Sequence, residues 1–251
     1  MDWRAANGLR WLEADLGGGA RAAFSTRLGG VSEGDFESLN IGVLTDDALE
    51  SVVVNRRRLD SALGLDPARV VIGRQVHGAE IAHHEGAQDP APWERPGPEP
   101  PHLDGHVVSE PGLAALVFVA DCLPIALAAP GGVAMLHGGW RGLAAGIVGT
   151  GVDALADPAA TTAAIGPGIG SCCYEVGDEV LAAFAPLGSG LADGRMLDLP
   201  AVARRLLERA GVERVETADL CTRCNQDLFF SHRGSGGRTG RQAGVAWIEA
   251  G

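Results

Sequence analysis

The chain of 251 residues is 46% hydrophobic and sets 32 acidic against 20 basic side chains, a formal charge of -12. That length suits one large domain or two small ones with ample core material. An acidic chain whose basic residues are all arginine, with no basic run, is a poor candidate for wrapping nucleic acid, although single arginines can still build local anion pockets.

The N-terminus, MDWRAANGLRWLEADLGGG, has charges where the apolar core of a secretory signal would stand. Five cysteines are an odd number for a secreted disulfide framework, so a cytoplasmic chain with reduced thiols is expected. Residues 9–16 (LRWLEADL) and 20–27 (ARAAFSTR) read as a strand pair around a glycine triplet. Residues 27–42 are turn-rich and polar. Residues 45–64 read as a helix, with Asp46 and Asp47 near its start and Val53, Leu59 and Leu63 as a partial apolar stripe. VVIG (70–73) is a short strand that leads into RQVHGAE. His83 and His84 lie at the edge of a loop and read as solvated.

Residues 86–103 hold six prolines, too many for a regular element, and read as a surface excursion. Strand-like runs follow at 106–110, 113–120, 124–129 and 132–136. The most apolar span, 112–135, could pass for a membrane helix, but Asp121, Pro124, Pro130, Gly131 and Gly132 interrupt it, so buried strands are expected. Residues 142–156 read as a helix of small residues, and 161–170 as a strand running into a glycine-rich loop. Residues 177–187 and 199–211 are helical, the second with Leu199, Val202, Leu206 and Leu207 opposite an arginine- and glutamate-rich face. Residues 212–220 and 243–250 are strands. No internal repeat is visible. Strands and helices mix without strict alternation, which predicts an α+β fold with mixed sheets, here as a single domain over 1–251.

The stretch ADCLPIALAAPGGVAMLHGGWRG (120–142) carries the chemistry. A hairpin turning near residues 129–132 brings Cys122 and His137 to one open end, with a stagger of two residues, or about 7 Å along a strand. His77, just after the strand at 70–73, is a third soft donor. One cysteine and two histidines form a zinc ligand set, and three protein ligands leave a fourth position open for chemistry. The same residues also fit a buried thiol and hydrogen-bonded loop histidines. Arg141, four residues after His137, suits an anion site beside a metal, or a simple pair with Asp121. Cys221 and Cys224 form a lone CxxC, weak evidence for a metal. Cys172 and Cys173 would point to opposite faces of an extended chain, a poor chelate; all four of these thiols read as packing or incidental. The glycines of AIGPGIG (164–170) match neither dinucleotide nor P-loop fingerprints and predict a close backbone approach.

Taken together, QVHG (75–78), LDGHV (103–107), ADCLP (120–124), LHGGWRG (136–142), AIGPGIGSCCYEVG (164–177) and FFSHR…GRQ (229–242) resemble the YfiH/YlmD-type laccase-domain family, as does the N-terminal STRLGGVSEGDFESLNIG with the later NRRRL. The resemblance spans nearly the whole chain. It departs in HGGWRG for HAGWRG, in Asp104-Gly105-His106 for a DAL-type tripeptide, and in Ser171 where a proline often precedes the double cysteine. The resemblance implies a layered α/β/β/α fold and one zinc on His77, Cys122 and His137. It further implies phosphorolysis of adenosine, inosine and methylthioadenosine, with adenosine deamination. Members have also been linked to peptidoglycan-precursor editing and, by older names, to copper-dependent phenol oxidation.

Seven histidines with no His-x-His leave too few imidazoles for a multicopper centre, though the soft site would take copper. For deamination, Asp121 is the nearest carboxylate for proton transfer, or else orients a ligand histidine or Arg141. For phosphorolysis, Arg141 leads as anion binder, with Arg27, Ser25 and Arg233 as further contacts. The competing class is a metal-free cysteine hydrolase, with Cys122 as nucleophile and His137 as base, suited to amide cleavage in a cell-wall precursor. A binding module with structural zinc is a third. Purine nucleosides and phosphate are the expected partners, with no nucleic acid and no membrane.

Overall fold

The computed structural model describes residues 1–97 and 99–250; Pro98, within the predicted proline-rich loop, and Gly251 lie outside the described residues. The glycine triplet turns the chain as expected, between β2 (Leu9–Gly17) and β3 (Ala20–Ser25), while an additional edge strand, β1 (Asp2–Ala6), precedes them. After α1 (Leu49–Leu63) come β4 (Val70–Val71), β5 (Ile81–His84), β6 (Gly105–Val108) and β7 (Ala114–Val119). The apolar hairpin is β8 (Leu123–Ala129) and β9 (Gly132–Gly138). Then follow α2 (Trp140–Ala144), α3 (Ile147–Ala154), β10 (Thr162–Ile165), α4 (Asp178–Phe184), β11 (Ala192–Asp193), β12 (Met196–Leu197), α5 (Leu199–Arg209), β13 (Arg214–Thr217) and β14 (Gln242–Ile248).

Two mixed six-stranded sheets form, in the orders β1-β2-β3-β14-β7-β4 and β13-β10-β8-β9-β6-β5. Side chains alternate across each strand, so each sheet presents two faces. On the hairpin, Leu123, Ile125, Leu127 and Leu136 join a cluster with Leu143, Ile147 and Val152 of α2 and α3 and Val202 and Leu207 of α5. Ala126, Ala128, Val133 and Met135 instead meet Ala22, Phe24, Ala115 and Val117 of the other sheet. The outer face of that first sheet packs Leu116 and Val245 against Leu59 of α1 and the loop residue Trp93. The result is the α/β/β/α layering that the motifs implied. The alanine-rich inner faces allow close sheet contact: at Gly244 of β14 an added Cβ would sit 2.4 Å from the Cβ of Pro124.

Four expectations need correction. The helix expected over 142–156 is two short helices, because Gly146 stands at a left-handed φ of 95° between them. His83 and His84 are on a strand, β5, paired in parallel with β6, and His84 shares a 3.1 Å hydrogen bond with the buried His106. The proline-rich loop is anchored, not merely superficial: Trp93 is 1% exposed and its indole N–H donates to Asp60 Oδ1 at 2.9 Å. The buried face of α1 is more polar than its stripe suggested, with Asn55, Arg56 and Asp60 inside beside Val52 and Leu59. Asn55 donates to the backbone of Ser38 and Asn40, and Arg56 to that of Ile41 and Trp93, so the helix organises both the irregular segment before it and the proline-rich loop after it. Among the described residues no helix is long and apolar enough to cross a membrane.

Candidate metal centre and active-site cleft

The hairpin turns at Pro130 and Gly131, and its register sets His137 opposite Pro124. Cys122 lies two residues beyond Pro124, and the left-handed backbone of Asp121 (φ 87°) bends the chain there, absorbing the stagger. His77 arrives on the segment that enters β5, itself at φ 61°. A positive φ is uncommon outside glycine and clusters where surroundings over-determine it. The ligand atoms of His77, Cys122 and His137 lie within 4.8 Å of one another, with His77 exposed, Cys122 half-buried and His137 buried.

Asp104 holds this geometry. Its carboxylate is fully buried and accepts four hydrogen bonds: from His137 Nδ1 at 2.7 Å, and from the backbone N–H groups of Val76, His77 and Gly78 at 3.0, 2.9 and 2.8 Å. One side chain thus fixes the tautomer of His137, leaving the lone pair of Nε2 for a metal, and clamps the turn that carries His77. Burial alone would push the Asp104 carboxyl up, but the bonds from His137, Gly78 and Val76 more than offset it and hold the carboxyl below its ordinary value. For Cys122, burial likewise opposes ionisation and the facing imidazoles of His137 and His77 overcome it, so the thiol is held low. For His137, burial favours the neutral ring, but the Cys122 sulfur and Asp104 win and raise its pKa.

Gly139 is demanded by the cluster. An added Cβ there would lie 2.9 Å from His77 Cδ2 and 3.2 Å from Cys122 Sγ. Gly142 has the same kind of constraint against the carbonyl of Gly78, 2.6 Å away. Gly139 therefore lets the chain pass directly over the ligand atoms, and Gly142 lets it approach the turn that carries His77.

The three side chains line a cleft of about 850 Å³, within the usual range for a small-molecule site. Arg56, Arg74, Arg141, Arg233 and Arg241 also line it, against the carboxylates of Asp121 and Glu99, and Phe118, Trp140 and Tyr174 supply flat apolar surface. Arg141 stacks on Trp140, its guanidinium carbon 4.6 Å from the ring centre, and makes no ion pair or hydrogen bond with its guanidinium among the described residues. The alternative pairing with Asp121 is not formed. Asp121 Oδ1 instead accepts from Thr222 Oγ1 at 2.6 Å and Oδ2 from the Arg233 backbone N–H at 2.7 Å. Arg233 reaches the cleft, with Nη1 donating to the Glu175 carbonyl at 2.9 Å.

Ser25 and Arg27 are not brought to the cleft lining. Ser25 Oγ accepts from the Ala243 N–H at 2.9 Å inside the first sheet. Arg27 donates to the carbonyls of Glu37 and Gln226 and lies over Phe230, so its guanidinium is spent on joining loops. Asp104 is a site residue that no sequence spacing marks: Gly105 pairs with Leu136, so the register of β6 on β9 sets Asp104 beside His137.

The chain belongs to the family described as multi-copper polyphenol oxidoreductase laccase, which matches residues 21–249. It is 39% identical to a Streptomyces coelicolor protein named as a purine nucleoside phosphorylase, over 94% of this chain and 99% of that one. It is 36% identical to the Escherichia coli protein YfiH, also named as a purine nucleoside phosphorylase, over 92% of this chain and 94% of that one. The crystal structure of YlmD from Geobacillus stearothermophilus superposes with a TM-score of 0.90 at 35% identity, covering 98% of both chains.

Proposed function

We propose that the chain is a zinc-dependent purine nucleoside phosphorylase, acting as one domain over residues 1–251, that splits adenosine, inosine and methylthioadenosine and also deaminates adenosine. One observation carries this reading: a thiol and two imidazoles converge in a cleft that also gathers five arginines from a chain of net charge -12. The relatives named as purine nucleoside phosphorylases support it. The donor set fits zinc, being two nitrogens and a sulfur held low enough to ionise, with His137 oriented by a carboxylate. An ion bound by His77, Cys122 and His137 supplies a positive charge and a Lewis acid beside the substrate.

The chain's own groups do the remaining work. Phosphorolysis breaks the glycosidic C–N bond, joins a phosphate oxygen to the ribose carbon and leaves a proton on the purine. Arg141, unpaired among the described residues and stacked on Trp140, binds the phosphate, with Arg233 as a second contact. Trp140 and Tyr174 give the purine a flat wall. Asp121, which accepts from Thr222 and from the Arg233 backbone N–H, orders the rim next to Cys122 and is the nearest carboxylate for proton transfer in the deamination.

A second reading rests on the Cys122–His137–Asp104 chain itself. Without a metal, a thiolate beside an imidazolium oriented by a carboxylate is the constellation of a cysteine hydrolase, suited to an amide of a cell-wall precursor. Product analysis on adenosine separates the two. The zinc reading predicts adenine and ribose phosphate only when phosphate is present and inosine without it, both lost to a chelator and regained with zinc. Activity that survives chelation and dies on alkylation assigns the site to the hydrolase.

A further inference from the structure

A second cluster of soft donors lies outside the triad of His77, Cys122 and His137. Cys172 and Cys173 stand in the turn after the glycine-rich loop, and Cys221 and Cys224 in the turn after β13. The four sulfurs lie within 4.8 Å of one another. Cys224 Sγ is 3.4 Å from both Cys172 Sγ and Cys173 Sγ. We infer that Cys172, Cys173, Cys221 and Cys224 bind one structural zinc ion that clips these two turns together at the rim of the cleft.

Three observations support the assignment. First, a tetrahedral ion with Zn–S bonds of about 2.3 Å separates its sulfurs by about 3.8 Å, inside the spread of distances between these four. An iron–sulfur cluster distributes its thiolates over several metal atoms and needs them farther apart. A disulfide needs its sulfurs in covalent contact, and none of the five cysteines is in one.

Second, the backbone of the two turns is arranged to bring the four thiols together. The N–H groups of Cys173 and Tyr174 both donate to the Gly170 carbonyl at 3.0 Å, folding a turn that brings adjacent cysteines to the same side. The Cys221 carbonyl accepts from the backbone N–H of Asn225 at 3.1 Å and from its side-chain amide at 2.7 Å, closing the second turn. Gly168 pairs with Cys221 across the two segments.

Third, the chemistry is closed where the triad is open. Four thiolates complete a tetrahedral shell, so this ion has no position for a substrate. Its role follows from what the two turns carry. One continues into Tyr174, in the cleft wall, and the other into Thr222, which donates to Asp121 next to Cys122. The ion ties the rim to the strand end that bears the catalytic sulfur.

The test is native mass spectrometry of the full-length chain loaded with zinc, beside its Cys221→Ser/Cys224→Ser and Cys122→Ala variants. Two zinc ions are expected on the parent chain and one on either variant. A parent chain that binds a single zinc, lost only with Cys122, overturns the inference. In parallel, the zinc-loaded parent is alkylated and mapped by peptide. Cys172 and Cys224, both exposed in the fold, are expected to be protected until a chelator is added. Prompt alkylation of these two thiols in the loaded protein, or their recovery as a disulfide, overturns it equally. Neither readout depends on enzymatic activity, so failure here is distinct from failure of the phosphorylase reading.

Discussion

Asp104 holds both histidines of the candidate metal centre, His137 through its ring and His77 through its backbone. Replacing it with asparagine keeps the shape but removes the charge that His137 Nδ1 and three backbone N–H groups share. Loss of such a partner costs about 10–100-fold in metal affinity. Competition against a chelator of known strength should show Asp104→Asn weakened by that order, while parental affinity would remove Asp104 from the account. Gly139→Ala tests the same region by volume, since its new methyl must displace His77 or Cys122. The same competition assay should find weaker binding, and an unchanged constant would mean the ligands have room the structure does not show. In the proposed function Arg141 binds the phosphate. Arg141→Ala should raise the phosphate concentration needed for half-maximal phosphorolysis more than it slows deamination; equal losses in both reactions contradict a phosphate role.

At the scale of elements, α1 shows how a buried charge can be bound into structure. Asp60 is almost fully buried and its pKa is raised to about 7, chiefly by burial, with the Trp93 hydrogen bond and the Arg56 charge opposing. A carboxyl raised above its unfolded value favours folding when protonated. Its contribution is complete below the unfolded value near 4 and is lost as pH rises through about 7. Asp60→Asn mimics the protonated form and still accepts from Trp93. Relative to that variant, the parent chain should lose stability between pH 4 and pH 7 in denaturant titrations. A constant difference across that window would show that Asp60 is not titrating there.

The elements also show which signals the sequence carries. The hairpin and its two ligands were legible because a Pro-Gly-Gly turn fixes pairing locally and the stagger can be counted. Asp104 was not, since its place beside His137 depends on the register of β6 against β9, which no local spacing reveals. The parity argument that separated Cys172 from Cys173 holds for a strand and fails in a turn, and nothing in the sequence joins them to a CxxC some fifty residues later. Trp93 was hidden for a similar reason. Six prolines exclude regular structure, but they do not exclude one indole from docking on α1.

At the scale of the whole molecule, two sheets packed through alanine and glycine bring the ends of β8, β9 and β6 to one edge, where loops from distant parts of the chain converge. There the cleft collects arginine within an acidic envelope. Such local focusing attracts an anion that the net charge would repel. The fold therefore accounts for a small-molecule site, and the identity of its chemistry rests on the sulfur.

The most direct measurement pairs metal content with turnover in Cys122→Ala. The account predicts one zinc fewer per chain than the parent and loss of both phosphorolysis and deamination of adenosine. Normal turnover of adenosine by that variant, or parental zinc content, would contradict it.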